Sequence, residues 1–279
     1  MGELIDDTQL VGERGSYQAE LSPDWEGLNG VPLGGYLAAM ALRAAGKECG
    51  LPRPISFACQ FLQSPKYGQQ VDLEVATLRA TKRTAALRVS LRQASELMLE
   101  ALVWASAAGL PGYELAASEP PTACNPDAWS PIEGRTHQPL PKCMGQIETR
   151  WDHHDPGTPG AHGKPYSHAW HRFRPRDRYG DPFADASRLL LLSDIRAFGP
   201  VAFHLDLAAE KVPFFAPNMD LAVQFARPSS DCGWLLGAAR ALAATEGTIA
   251  TRIEFWSEQG QALAMASSTL MCRANPFAV

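Results

Sequence analysis

Two features of the sequence combine residue types that can do chemistry. Asp194 lies inside the apolar segment 189–195, and a glycine pair, Gly34 and Gly35, directly precedes the apolar segment that begins at Tyr36. A carboxylate in apolar surroundings has a raised pKa and can act as a general base towards water. Glycines at a helix start present N–H groups unhindered by a Cβ, and the helix dipole there favours developing negative charge. These residue types are suited to activating a water and stabilising an oxyanion.

Each feature also has a purely structural interpretation. Asp194 can cap a helix or form an ion pair with the nearby Arg188 or Arg196. The glycine pair can simply allow its helix to pack closely against a neighbouring element. The residues alone leave both interpretations open.

Several familiar catalytic and binding motifs are missing from the sequence. It contains no G-x-S-x-G, no P-loop and no G-x-G-x-x-G, so nothing supports an α/β-hydrolase nucleophile or these nucleotide-binding loops. Five of the seven histidines cluster, but their spacing fits no zinc pattern, so we expect no metal site and no cofactor. These clustered histidines are His153, His154, His162, His168 and His171.

Composition and charge limit the classes of partner. The 279 residues are 46% hydrophobic and 20% charged, which is enough for a globular core, and the net charge is −5. No stripe of Lys and Arg is present, so we expect no nucleic-acid partner. The most apolar window, 189–192, is too short to cross a bilayer, and the acidic start lacks a signal peptide, so we expect no membrane partner. Six scattered cysteines without a CxxC pair favour reduced thiols and a cytoplasmic location.

One segment of the sequence occurs twice. TKRTAALR at 81–88 and TEGTIATR at 245–252 share Thr, Thr, Ala and Arg at matching places, 164 positions apart. At the same offset, Phe61 falls on Phe225. Collinear matches over some 40 residues indicate an internal duplication.

The repeated regions predict antiparallel strands. Segments 71–78, 86–92 and 251–257 alternate apolar and polar residues, as strands with one buried face do. The Thr-x-x-Thr segments then lie at hairpin turns, and Glu96 and the Gly260 region mark the next turns.

One helix is predicted ahead of each block of strands. The first begins at the glycine pair and ends at Gly46 or Gly50, and the second covers 183–203. A helix followed by antiparallel strands, present twice, predicts an α+β fold of two repeats. The expected divisions are an N-terminal repeat (1–109), a Pro-rich linker (110–145) and a C-terminal repeat (146–279), with a turn-rich loop at 153–167.

This arrangement resembles the double hotdog fold, and the detailed sequence is similar to the TesB-like acyl-CoA thioesterase II family. The stretches that carry the resemblance are Trp25 with GGYLAA (34–39), LLSD (191–194), and DLAVQFARP (220–228) followed by Trp234 and closing with MCR (271–273). Their order and spacing carry it, since no single motif is specific. The likeness covers nearly the whole chain outside the linker and the 153–167 loop.

The resemblance implies an activity and a site. The family's hydrolytic site places an Asp, a Thr or Ser, and a Gln around one water. Asp194 matches the Asp, whereas the Thr position is Asn218 and the Gln position is Ser268. We therefore expect an acyl-CoA thioesterase with Asp194, Asn218 and Ser268 as catalytic residues. Gly34, Gly35 and Tyr36 are expected to bind the substrate.

Other functions remain open at this level. A hotdog hydratase or dehydratase needs a His beside the Asp, and only His204, near the end of the second predicted helix, comes close. A non-catalytic acyl-CoA-binding protein is compatible with Asn218 and Ser268. The resemblance further implies a homodimer. Arginines alternate over 172–178 and either contact the phosphates of coenzyme A or form an exposed strand edge.

Overall fold

The structure, a computed structural model, describes residues 2–27, 30–115, 119–121, 125–132, 140–151, 165–204 and 213–274. Within these residues, thirteen strands form one antiparallel sheet and two further strands form a small second sheet. Two long helices lie against the large sheet, so the fold is α+β, as the sequence predicted.

The elements have the following bounds. The helices are α1 (Leu4–Asp7), α2 (Gly34–Cys49), α3 (Pro182–Arg196) and α4 (Gly199–His204). The strands before the linker are β1 (Val11–Glu13), β2 (Ser16–Ala19), β3 (Arg53–Phe61), β4 (Val71–Ala80), β5 (Thr84–Gln93) and β6 (Glu96–Ser106). The later strands are β7 (Ser130–Pro131), β8 (Ile147–Trp151), β9 (Tyr166–Phe173), β10 (Phe214–Phe215), β11 (Asp220–Phe225), β12 (Leu235–Thr245), β13 (Thr248–Ser257), β14 (Ala262–Met271) and β15 (Arg273–Ala274). Short 3-10 helices cover Pro23–Trp25, Pro126–Ala128 and Lys142–Gln146.

The N-terminal half wraps one side of the sheet around α2. Strands β1, β2, β4, β5, β6 and β3 are neighbours in that order, and α2 packs on β3 to β6. The helix is rich in Ala, Leu and Met, and Tyr36 to Leu42 are buried because the sheet covers it. It ends at Gly50, which has a left-handed φ of 63° that favours glycine. Of the two predicted endpoints, Gly50 is therefore the correct one.

The C-terminal half repeats this arrangement around α3. Strands β11, β14, β13, β12, β9, β8 and β7 follow one another in the sheet. The prediction of one helix over 183–203 was wrong, because α3 ends at Arg196 and α4 begins at Gly199. Pro200 explains the break: it lacks an N–H, and in a continuous helix its ring would clash with the carbonyl group of Arg196.

The two halves meet where β3 pairs with β11. Phe57 lies opposite Val223 and Cys59 lies opposite Leu221, and all four side chains are buried. The sheet is therefore continuous across the chain, and both helices share one hydrophobic core.

The internal duplication is visible in the strand positions. Strand β13 occupies the positions of β5 shifted by 164, and β3 and β11 end at the matching Phe61 and Phe225. The helices α2 and α3 start only 148 positions apart, so the C-terminal half has a longer connection between helix and strands, which includes α4. The Thr-x-x-Thr hairpin turns are confirmed. Glu96 is the first residue of β6, and the turn before it is formed by Ala94 and Ser95, both with positive φ.

The described part of the linker region packs against the C-terminal half. Strand β7 pairs with β8, and Trp129 contacts Trp170 edge to face on the outer surface of the sheet. The predicted loop 153–167 is too long by two residues, since β9 begins at Tyr166. Its earlier part, with His153, His154 and His162, lies outside the described residues. Among the described helices, none is long and apolar enough to cross a membrane.

Candidate active site

Asp194 lies where the two halves of the molecule meet. It is the third residue from the end of α3, and its side chain is turned towards the start of α2. The backbone N–H of Gly35 donates to Oδ2 of Asp194 at 2.8 Å. Only 9% of the residue is exposed, so this carboxylate is a nearly buried group at the positive end of a helix dipole.

Gly35 allows the two helices to approach this closely. A Cβ at this position would lie 2.7 Å from Cα of Leu191 and 2.9 Å from Cβ of Asp194, both too short for any side chain. Gly35 therefore permits the close packing of the two helices, and its N–H is bound by Asp194.

Gly34 lies close to the other oxygen of the carboxylate. A Cβ there would lie 3.2 Å from Oδ1 of Asp194 and 3.1 Å from Cε1 of Phe61. Gly34 is partly exposed, whereas Gly35 is buried. As the first residue of α2, Gly34 has no acceptor for its N–H within the helix. The start of α2 therefore has a donor at Gly34 that no carbonyl group of the helix uses.

Asn218 and Ser268 extend a chain of hydrogen bonds from Asp194. Nδ2 of Asn218 donates to Oδ1 of Asp194 and, at 3.1 Å, to the backbone oxygen of the same residue. Oγ of Ser268, on β14, lies 2.6 Å from Oδ1 of Asn218 and 2.6 Å from the carbonyl oxygen of Asp220. The three residues predicted as catalytic therefore lie together, 74 positions apart at the extremes.

Burial sets the protonation behaviour of the site. Burial raises the pKa of Asp194 above its ordinary value, and the hydrogen bonds from Gly35 and Asn218 oppose this in part. Burial and the nearby carboxylate of Asp194 also raise the pKa of two thiols, that of Cys59 well above its usual range and that of Cys143 to about 12. A raised pKa favours the neutral thiol, which is a poor nucleophile, so these surroundings do not activate either cysteine.

Comparison with known protein families agrees with this architecture. A family described as the acyl-CoA thioesterase N-terminal domain matches residues 21–106, and one described as the acyl-CoA thioesterase C-terminal domain matches residues 117–272. The chain belongs to the acyl-CoA thioesterase family. It is thus a thioesterase, as the resemblance predicted. No curated protein matches the sequence.

Solved structures of similar proteins share the whole fold of this thioesterase. A hot dog fold protein of Alicyclobacillus acidocaldarius superposes with a TM-score of 0.80 at 20% identity, covering 98% of each chain. The acyl-CoA thioesterase II TesB2 of Mycobacterium marinum gives 0.79 at 19% identity, covering 98% of this chain and 99% of that one. A tesB protein of Mycobacterium avium subspecies paratuberculosis gives 0.78 at 18%, covering 97% and 98%. The double hotdog fold is therefore confirmed.

Tyr36 has a structural environment in this thioesterase. It is fully buried, its ring stacks on Trp25 at 5.9 Å, and its hydroxyl donates to the backbone oxygen of Asp7 at 2.6 Å. The same hydroxyl accepts the backbone N–H of Ser22. The polar atom of Tyr36 thus holds the N-terminal segment in place and does not join the Asp194 network.

The position related to Asp194 by the duplication holds no carboxylate. With the helices aligned from their first residues, Asp194 corresponds to Gly46, and Gly35 corresponds to Phe183. The ring of Phe183 lies directly over Gly46, where a Cβ would be 2.5 Å from Cγ of the ring. The chain therefore carries a polar site at one of the two equivalent positions and an apolar contact at the other.

The alternating arginines form mostly structural ion pairs. Arg172 and Arg174 both contact the carboxylate of Glu148, at 2.5 and 3.1 Å, and Arg176 lies 3.8 Å from Glu3. These contacts favour a structural role over binding of coenzyme A, but not at a strand edge, since β9 is paired with both β12 and β8. Among the described residues, no three potential metal ligands of the His, Cys, Asp and Glu types lie together.

Phe61 and Cys143 were not found by sequence reasoning as neighbours of the site. Phe61 lies against Gly34. Cys143, on the 3-10 helix in the region predicted as a linker, is near enough for the charge of Asp194 to raise its pKa. The repeat contained a signal for Phe61, because it aligns with Phe225. Nothing in the local sequence distinguishes Cys143 from the other cysteines.

Proposed function

We propose that this thioesterase hydrolyses acyl-CoA thioesters and that Asp194 is the general base for a single water. The observation that carries the proposal is the environment of the carboxylate, which is nearly buried, raised in pKa and fixed by two donors, Gly35 and Asn218. A carboxylate offers about four acceptor positions. The described hydrogen bonds use one on each oxygen, so each oxygen can still accept a proton from water.

The attacking water fits beside Oδ1, over Gly34. A Cβ at Gly34 would lie 3.2 Å from Oδ1 and 3.1 Å from Cε1 of Phe61, so a side chain there would crowd this position. The N–H of Gly34 points from the start of α2, where the helix dipole favours negative charge. A thioester carbonyl placed there has its oxygen near a donor and its carbon near the water.

Hydrolysis then follows from these positions. Asp194 takes a proton as the water oxygen forms a bond to the thioester carbon, and the negative charge moves to the carbonyl oxygen beside the N–H of Gly34. When the C–S bond breaks, the proton on Asp194 passes to the departing sulfur. The products are a free carboxylic acid and coenzyme A, and Asp194 is again a carboxylate.

Asn218 acts as a positioning residue. Both hydrogens of its amide are directed to Asp194, one to the carboxylate and one to the backbone oxygen, and its own oxygen accepts from Ser268. This arrangement fixes the rotamer of Asp194 and lowers its pKa relative to burial alone. Asn218 and Ser268 thus form a connected hydrogen-bonded chain at the two positions where the family has a Thr or Ser and a Gln.

The contacts of Asp194 favour hydrolysis over hydration. The groups that donate to its carboxylate among the described residues are a backbone N–H and an amide, and neither can serve as the second acid–base group that an imidazole would provide. His204 lies exposed at the end of α4, and His171 is buried beside Arg196.

Asp194→Asn is the test of this function. The substitution keeps the shape of the side chain. Asn218 can turn its amide by 180° so that its oxygen accepts from the new amide and its Nδ2 donates to Ser268, but it then loses its bond to the backbone oxygen of residue 194. Release of free thiol from short, medium and long acyl-CoAs should fall about 10²- to 10⁴-fold, as expected for loss of a general base. Binding of a non-hydrolysable thioether analogue should persist. Full turnover by the variant rejects Asp194 as the base, and the absence of turnover in wild type for every acyl-CoA favours a binding protein.

A homodimer is part of the proposal. On the outer face of the N-terminal half, Leu102 and Trp104 of β6 are 53% and 43% exposed beside the small Ser56 and Ala58 of β3. Exposed apolar side chains on a flat sheet suit a second copy of the same surface. Trp104→Lys should convert a dimer into a monomer in light scattering, and an unchanged mass would place the interface elsewhere. The free state of the described cysteines fits the cytoplasmic location we propose.

A further inference from the structure

A cavity separate from the Asp194 site lies on the opposite face of the sheet. Its volume is about 650 Å³, and it opens on the outer surface of β9, β12 and β13. The residues that line it are Tyr166, His168, Ala238, Arg240, Arg252 and Glu254. Pro121, from the linker region, forms part of its rim. A cavity of this size accommodates a ligand as large as a nucleotide.

Two arginines lie side by side in this cavity. Arg240 and Arg252 are directly opposite each other on β12 and β13, with both side chains on the outer face. Like charges at directly opposed positions destabilise a sheet. Glu254 pairs with Arg252 at 2.8 Å, whereas Arg240 has no carboxylate partner among the described residues. The cavity therefore holds one cation more than its own carboxylate neutralises, which suits an anion.

The internal duplication gives a direct comparison for this pair. Shifted by 164 positions, Arg252 corresponds to Arg88 and Arg240 corresponds to Ala76, which are themselves opposite each other on β5 and β4. The N-terminal half thus has one arginine where the C-terminal half has two. Arg88 is paired with Glu100, so the surplus cation is a property of the C-terminal half and does not follow from the sheet geometry.

The rest of the cavity presents an aromatic surface and a small floor. The rings of Tyr166 and His168 are stacked, with centroids 6.4 Å apart and planes within 13°. Tyr166 lies opposite Arg240 in the sheet, and Ala238 lies between His168 and Glu254. The small side chain of Ala238 thus leaves room in the middle of the cavity. Around it lie the ring of Tyr166, the guanidinium groups of Arg240 and Arg252, and the carboxylate of Glu254.

We propose that this cavity binds a nucleotide whose base carries an exocyclic amino group, in the first place an adenine nucleotide. The two guanidinium groups match phosphate oxygens, the Tyr166 ring offers a face for the base, and the Glu254 carboxylate can accept from the amino group. The ligand chemistry is a phosphorylated adenosine, which either a free nucleotide or the 3′-phosphoadenosine end of coenzyme A supplies. Because this cavity and Asp194 lie on opposite faces of the sheet, its occupant is distinct from the thioester being hydrolysed.

Titration calorimetry on the full chain tests the proposal, with ADP, UDP, inorganic pyrophosphate and coenzyme A as probes. ADP should bind with a dissociation constant on the order of 10 to 100 µM, and more weakly by about tenfold or more in Arg240→Ala and in Arg252→Ala. Arg88→Ala is the matched control and should bind ADP like wild type. All three side chains are exposed, so these variants are expected to remain folded, and circular dichroism checks this.

The remaining probes separate the sources and the alternatives. Competition between coenzyme A and ADP is measured in Asp194→Asn. If coenzyme A displaces ADP, the 3′-phosphoadenosine end of coenzyme A can occupy the cavity. If ADP stays bound, the occupant is a free nucleotide. Pyrophosphate binding as tightly as ADP overturns the proposal in favour of a plain anion site, and equal binding of UDP overturns the selection by Glu254. No ADP binding, or equal loss in all three arginine variants, overturns it entirely. Thiol release is measured separately, so failure here is distinguishable from failure of the proposed hydrolysis.

Discussion

The carboxylate of Asp194 lies 2.8 Å from the backbone nitrogen of Gly35, although 159 residues separate them in the chain. Helix α2 begins after Leu33, whose side chain offers no capping oxygen. Helix α3 begins after Asp181, whose own side chain accepts from the N–H groups of Phe183 and Ala184. The two helices thus differ in the source of the cap: α3 has a local one, and α2 receives its cap from the other half of the molecule.

This cap from the other half places a carboxylate where the dipole of α2 is most positive. The arrangement stabilises α2 in the way a local N-cap does, by about 1 kcal/mol. It also holds a base beside the one partly exposed residue of the first turn, Gly34. One contact therefore serves both the folding of the two halves together and the proposed chemistry.

The two glycines should respond differently to the same change. Gly34→Ala puts a methyl group 3.2 Å from Oδ1 of Asp194 and near the ring edge of Phe61, into the space proposed for water. We expect a fall in kcat of about tenfold to a hundredfold, because misplacing a reactant by about 1 Å has effects of that size. The melting temperature should change little. Steady-state kinetics and calorimetry measure the two effects.

Gly35→Ala is the matched control. Its methyl group would lie 2.7 Å from Cα of Leu191, so the helix backbones must separate, at an expected cost of about 1 to 3 kcal/mol in the free energy of unfolding. If Gly34→Ala retained full turnover, the proposed position of the water would be wrong.

The pH dependence of the reaction should reveal the raised pKa of Asp194. Only the carboxylate form can take a proton, so kcat/KM should increase with pH through an acid limb whose midpoint lies above 3.8, the ordinary value for Asp. Asp194→Asn should remove this limb from the residual rate. A limb at or below the ordinary value would contradict the role of burial.

Stability should change in the opposite direction over the same range. Because the pKa of Asp194 is higher in the folded state than in the unfolded state, the folded protein binds the proton more tightly. The stability gained from this group is fully present below the unfolded pKa and is lost as pH rises through the folded pKa. Denaturant unfolding of wild type relative to Asp194→Asn, at several pH values, isolates this contribution.

Asn218 should control the pKa of Asp194 as well as the rate. Asn218→Ala removes the donor that lowers this pKa, so the acid limb should move to higher pH while kcat falls about tenfold or more. Ser268→Ala leaves that donor in place and removes only the hydroxyl bonded to Asn218, so its shift should be smaller. A merely structural Asn218 would lower the stability and leave the midpoint of the acid limb unchanged.

The sequence predicted the strands better than the helices, for a physical reason. The alternation along 86–92 and 251–257 reflects burial of one face of the sheet, and the duplication repeats it. The second helix was predicted as continuous because apolar residues recur over the whole of 183–203. The single residue Pro200 ends that helix, and its effect acts through a missing N–H and a steric clash that hydrophobicity does not register.

The site could be predicted only in part. The resemblance located Asp194, Asn218 and Ser268, which the structure places in one hydrogen-bonded chain. Tyr36 adjoins the glycine pair in sequence, yet its side chain points along α2 into the core, where its hydroxyl binds the backbone of Asp7. Adjacent helical residues face different directions by about 100°, so proximity in sequence did not imply a shared site.

Two buried arginines on α3 should respond in opposite ways to removal of their charge. Arg196 is 4% exposed, donates to Oγ of Ser167 and has no carboxylate partner among the described residues. Burial lowers its pKa to about 10. Arg196→Met keeps the length of the side chain and removes an uncompensated charge, so the free energy of unfolding should stay equal or increase by about 1 to 4 kcal/mol. Burial and, to a smaller extent, the charge of Arg196 lower the pKa of His171, so this pKa should rise in the variant.

Arg188 is the comparison, because it is also buried but is paired with a carboxylate. It pairs with Asp185 at 2.5 Å and donates to the carbonyl oxygens of Asp177, Ser229 and Cys232. Arg188→Met removes the cation that pairs with the buried carboxylate of Asp185. The free energy of unfolding should therefore fall by about 3 to 5 kcal/mol. Urea unfolding of both variants at pH 7 measures the difference. Equal destabilisation of both variants would contradict the prediction. It would mean that the Arg196 charge is stabilised by more than its contact with Ser167.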